Sequence, residues 1–129
     1  MKKSSIFLTL FVFMIAFCSV VSLSKDVDLT GTWKGSTIIP DQGEDEMTLV
    51  IKKEKGEYTA TITDSFDMLL DTECEDFEFK DGTLTFNVTV DMDMESMTVW
   101  ITLDVKGDTM KGQWETVEGD IGDIELIKQ

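Results

Sequence analysis

Residues 81–105 read DGTLTFNVTVDMDMESMTVWITLDV. Leu84, Phe86, Val88, Val90 and Met92 alternate with Thr83, Thr85, Asn87, Thr89 and Asp91. After a polar break, Met97, Val99, Ile101, Leu103 and Val105 alternate with Thr98, Trp100, Thr102 and Asp104. A period of two puts successive side chains on opposite faces, so each run reads as a strand with one buried and one solvated face. A two-residue loop at Glu95-Ser96 sets Met94 opposite Met97, and both share the parity of the apolar faces. The stretch predicts a long hairpin with an apolar inner face.

The same pattern extends outward. Turn signals recur at Asp41-Gln42-Gly43, Lys55-Gly56, Asp81-Gly82, Lys106-Gly107-Asp108 and Glu118-Gly119-Asp120. Gly and Asp tolerate the positive φ of tight hairpin turns. They divide the chain into eight expected strands at 31–39, 46–54, 57–64, 73–80, 83–93, 97–105, 109–116 and 123–128. Residues 65–72 read as a short helix or a bent connection. Eight sequential antiparallel strands hide their edges by closing, which predicts an all-β, up-and-down barrel. A β-sandwich is the alternative, but it needs longer crossovers.

Composition narrows the chemistry. The chain has 129 residues, 26 Asp+Glu against 11 Lys+Arg, and a net charge of −15. All its basic residues are Lys, and it has neither Arg nor His. Triads with a His base, His-ligated metals and Arg clamps on phosphate are therefore excluded. The acidity argues against nucleic acid, which is bound by neutralising phosphates. No cofactor is implied.

The first 24 residues are expected to be a secretory signal peptide rather than part of the fold. Lys2 and Lys3 precede an apolar run from Ile6 to Phe17, and Ser22-Leu23-Ser24 offers small residues for cleavage. About 12 apolar residues are too few to span a bilayer, which needs roughly 20. The layout looks bacterial and predicts a secreted or periplasmic barrel domain at 25–129. The bulky Phe17 argues against lipid anchoring at Cys18. Cleavage would leave nine Lys against 26 acids, a charge of −17 over 105 residues, with Cys74 as the lone thiol. No disulfide can then brace the domain from within, and a buried inert thiol is expected.

Three short motifs carry a family resemblance. They are Gly31-Thr32-Trp33-Lys34-Gly35, Asp81-Gly82-Thr83-Leu84-Thr85-Phe86 and Gly107-Asp108-Thr109-Met110-Lys111-Gly112-Gln113-Trp114. With a closing strand at Ile124–Lys128, their order resembles small secreted bacterial lipocalin-like (calycin-type) domains. The Gly-Thr-Trp start is also similar to avidin-like and fatty-acid-binding barrels. The resemblance implies a barrel that holds a small apolar ligand. It departs from lipocalins in two respects. A lipocalin has an Arg packed over the Gly-x-Trp indole, and this chain has none. No C-terminal helix is readable either, so a small barrel with a tight interior is expected.

Candidate ligand contacts follow from the inner faces. Trp33 and Trp114 stand as barrel plugs or ligand contacts. Met92, Met94 and Met97 cluster at one hairpin end, and flexible thioethers suit adaptable pockets. A pocket at that end would be lined by Phe86, Val99, Ile101, Phe77, Phe79 and Tyr58. Trp100 breaks the pattern by pointing outward, which makes it a surface-contact candidate. Asp91, Asp93 and Glu95 share one face and are an alternative Ca²⁺ site, although none of the acidic runs has calcium-loop spacing. Glu44-Asp45-Glu46 and the run from Asp71 to Glu78 read as solvated faces. Asn87-Val88-Thr89 matches a glycosylation sequon by coincidence in a bacterial chain. Mature Ser36, Ser65 and Ser96 have no His to activate them. The expectation is a monomeric, non-enzymatic binder of a small apolar ligand. The alternative is an interaction module using its acidic outer face and Trp100.

Overall fold

The computed structural model describes residues 28–92 and 94–129. The expected signal peptide, Cys18 and Asp93 lie outside the described residues. Among these residues nine antiparallel strands make one sheet: β1 Gly31–Ile39, β2 Gly43–Glu54, β3 Glu57–Asp64, β4 Thr72–Glu73, β5 Glu75–Lys80, β6 Thr83–Met92, β7 Glu95–Lys106, β8 Thr109–Thr116 and β9 Ile121–Lys128. Their order is β4-β3-β2-β1-β9-β8-β7-β6-β5. β1 pairs with both β2 and β9, so the two ends of the meander meet. The fold is an up-and-down, nearly closed barrel. Among the described residues no helix is long and apolar enough to cross a membrane.

Nine strands replace the expected eight because residues 73–80 do not form one strand. β4 pairs with β3, whereas β5 pairs with β6. Cys74 links them, and its N–H donates to the Ala60 carbonyl at 2.9 Å. The chain thus steps from one sheet edge to the other, and the wall stays unsealed there. Asp76 at φ 52° and a register shift between Glu75 and Glu78 mark a bulge, which bends a strand and interrupts its ladder. Residues 65–71 are a bent connection with positive φ at Asp67 and Asp71, not a helix.

The central hairpin also differs from expectation. β6 ends at Met92 and β7 begins at Glu95, so Met97 faces Val90 rather than Met94. This moves each partner by four residues, an even slip that leaves every side chain on its own face. Alternation alone cannot detect such a slip.

The inner faces form the core. Leu84, Phe86, Val88 and Val90 of β6 and Ile101 and Leu103 of β7 are buried. They meet Leu49, Ile51, Ile62, Ile124 and Leu126 from the other strands. One end of the barrel, here the lower end, is plugged. Leu29 and Trp33 are fully buried there, and the Trp33 indole N–H donates to the Leu29 carbonyl at 3.0 Å. Lys128 Nζ lies 5.6 Å from the Trp33 ring centroid and donates to the Asp28 carbonyl. A Lys thus sits over the indole in a chain that has no Arg to place there. Burial of the alternating apolar face is the main stabilising term, since the described residues contain no disulfide. Leu103→Ala is therefore expected to cost about 2–5 kcal/mol in urea unfolding. Thr102→Ala, on the solvated face, is expected to change stability by less than about 0.5 kcal/mol.

Candidate functional site

The opposite, upper end contains a cavity of about 420 Å³. Its walls are mostly apolar: Val88 and Val90 from β6, Met97, Val99 and Ile101 from β7, and Leu69 from the bent connection. Trp114 of β8 also lines it. The indole N–H of Trp114 donates to Thr37 Oγ1 at 2.8 Å, reaching over β9 from β8 to β1. Gly122 on β9 makes room for that ring, since a Cβ there would collide with the indole. The rim includes Asp41 in the β1–β2 turn and Asp120 in the β8–β9 turn.

Two carboxyls lie inside this otherwise apolar space. Asp45 of β2 is 2% exposed and Asp64 of β3 is 4% exposed. Asp45 Oδ1 accepts hydrogen bonds from the Ser65 N–H and hydroxyl, both at 3.1 Å, and from the Phe66 N–H at 3.3 Å. Asp64 Oδ1 accepts the Leu69 N–H at 2.8 Å. The pair therefore pins the bent connection over the cavity. With both carboxyls ionised, Asp64 Oδ2 is buried with no hydrogen-bond partner among the described residues. Burial pushes the Asp45 carboxyl up to about 6. Its hydrogen bond with Asp64 and the like charge of Asp64 add to the effect, against the donors of Ser65 and Phe66. Burial and a neighbouring like charge both favour the protonated form of Asp45.

The expected site residues divide between several places. Met97, Val99, Ile101 and Trp114 line the cavity. Phe86 is buried in the core and stacks on Phe77 at 5.7 Å. Phe77 also packs against Tyr58 at 6.2 Å, and these two border a separate groove beside Cys74 at the seam. Burial pushes the Cys74 thiol up to about 12, so it stays protonated. Phe79 is half-buried near the lower end, where Trp33 also lies. Met92 closes β6, and Met94 is 98% exposed at the hairpin tip. Trp100 is 45% exposed on the outer face, between Asn87 of β6 and Glu115 of β8. Asp91 and Glu95 are exposed at the hairpin tip, and Asp93 falls outside the described residues. Among the described residues no group of three His, Cys, Asp or Glu side chains is placed to hold a metal ion.

The buried pair was absent from the expected site, although its parity is readable. Asp45 shares the inward parity of Met47, Leu49 and Ile51, and Asp64 that of Ala60 and Ile62. Each sits one step beyond the apolar run of its strand. Comparison with family models, with curated proteins and with solved structures finds no match for this chain.

The raised Asp45 value fixes the sign of a pH effect. Its folded value near 6 lies above the ordinary carboxylate value of about 4. The stability it contributes is complete below pH about 4 and is lost as pH rises through about 6. Asp45→Asn keeps an acceptor for the Ser65 and Phe66 donors and adds N–H groups toward Asp64. The variant is expected to melt several degrees above the native protein at pH 7.5 and to lose that advantage at pH 4, as read by thermal unfolding at both values.

Proposed function

We propose that this chain is a secreted, non-enzymatic, lipocalin-like barrel that carries or senses a small apolar molecule at its upper end. The observation that carries the reading is the cavity there, walled by Val88, Val90, Met97, Val99 and Ile101. Small-molecule sites are concave, mostly apolar and furnished with a few polar groups, and the mouths of β-barrels are common locations. The plugged lower end leaves the upper end as the route in. Secretion is supported by the layout of residues 1–24. The lipocalin-like assignment is supported by the opening Gly31-Thr32-Trp33 strand, with Trp33 packed beneath Lys128.

A second reading, a hydrolase working through Asp45 and Asp64, has the pair itself in its favour. Two carboxyls sharing a proton can activate a water. Against it, Asp45 Oδ1 and Asp64 Oδ1 are both committed to backbone donors of the bent connection.

The neutral dye N-phenyl-1-naphthylamine tests the binding reading. Its fluorescence is expected to rise and shift to the blue with the native protein, at one dye per chain. Val99→Trp fills the cavity from β7 and is expected to abolish that signal while the circular dichroism of the barrel persists. Trp100→Ala is expected to leave dye binding intact. A native protein that leaves the dye unchanged removes the reading, and loss of binding only in Trp100→Ala moves the site to the outer face.

A further inference from the structure

Resting on the reading of the upper cavity as a binding site, we propose that its ligand is an apolar molecule bearing a protonated primary or secondary amine, whose N–H donates to Asp64 Oδ2. Three observations converge on this chemistry. The first is the orphan acceptor: Asp64 is buried, lines the cavity, and its Oδ2 has no hydrogen-bond partner among the described residues. A buried acceptor of this kind calls for a donor, and an ammonium N–H supplies a charge-assisted one. The second is the sign of the surroundings. The charged residues lining the cavity are Asp41, Asp45, Asp64 and Asp120, with no Lys among them, and the chain contains no Arg or His. Carboxylates in a cleft with low-dielectric walls attract cations and repel anions. The third is the wall itself. Val88, Met97 and Val99 offer a hydrocarbon body its contact, so a bare inorganic cation would leave most of the space unused.

Competing chemistries fit less well. A neutral hydrocarbon leaves Asp64 Oδ2 without a donor. A fatty carboxylate brings like charge to four aspartates. A quaternary ammonium has the charge but no N–H to give. Below pH about 6 a proton on Asp45 can supply the donor that the ligand would bring, so ligand and proton compete for one place. Asp45 and Asp64 face that place from β2 and β3, and Asp41 and Asp120 face it from the two rim turns. Thr37, Gln42 and Thr116 are the neutral polar neighbours.

Calorimetric titration of the full chain with n-octylamine, n-octanol and n-octanoate at pH 7.5 tests the assignment. Octylamine, protonated at this pH, is expected to bind about tenfold or more tightly than octanol, with octanoate weakest. The preference for the amine is expected to shrink at pH 5, where the proton reoccupies the pair. Asp64→Asn is expected to bring octylamine to within about twofold of octanol while octanol binds as before. If that variant fails to fold, the ranking of the three probes on the native chain still decides. Octanol binding as tightly as octylamine, or an Asp64→Asn variant that keeps the full amine preference, overturns this inference and leaves the apolar-binding reading standing. If neither the three probes nor the neutral dye binds, both are overturned.

Discussion

The pairing of β1 with β9 is the contact on which the rest of the structure depends. It joins Trp33–Thr37 to Ile124–Lys128, near the two ends of the folded chain. Without it the meander is an open ribbon, with one apolar face exposed to water. With it, the inner faces of all the long strands enclose a common core. The approach is tight: a Cβ on Gly35 would collide with the Glu125 backbone carbonyl, so only glycine fits. Bringing such distant segments together costs roughly 4 kcal/mol in loop-closure entropy. That cost falls before the core gives any return, which is why barrels of this topology fold slowly.

Closure also separates the barrel into two ends with different chemistry. At the lower end Leu29, Trp33 and Lys128 complete a plug whose polar atoms are matched to one another. At the upper end the apolar alternation runs out before the strands do. The positions left over are taken by Thr37, Asp45, Asp64 and Thr116, all buried. Charged side chains rarely lie that deep unless they are paired or bound to something. Asp45 is accounted for by the loop it holds, and Asp64 only in part. The cavity therefore opens where the core stops, beside residues that a purely stabilising design would replace with Val or Leu.

Much of this was legible in the sequence. Alternation from Leu84 to Val105 identified those strands and their inner faces, because burial enforces parity residue by residue, and the repeated turn signals pointed to an up-and-down barrel that the structure leaves nearly closed. The details that escaped are those to which parity is blind. The hairpin slipped by an even number of residues between Met94 and Val90 as partners of Met97. The break at Cys74 arises from which edge each half of the segment finds, a tertiary matter that local pattern does not encode. Asp45 was hidden within Glu44-Asp45-Glu46, where three acids in succession read as a solvated run. Their side chains in fact alternate, with the middle one turned inward.

The unsealed seam bears on how copies of the protein behave toward one another. β4 covers β3 only at Thr61 and Ile62, so the lower half of β3 and the outer side of β5 present strand edges without a ladder partner. Open edges of this kind are templates for edge-to-edge stacking between molecules. Here β3 and β5 carry Glu57, Glu75 and Glu78, and β4 beside them carries Glu73, all exposed. Mutual repulsion between like-charged edges is thus a colloidal barrier that substitutes for the missing hydrogen bonds. It reaches only about 8–10 Å at physiological ionic strength and contracts further in concentrated salt. Protonating the carboxylates removes it outright. The acidity of this chain is in that sense a structural component of its wall, one that the solvent can withdraw.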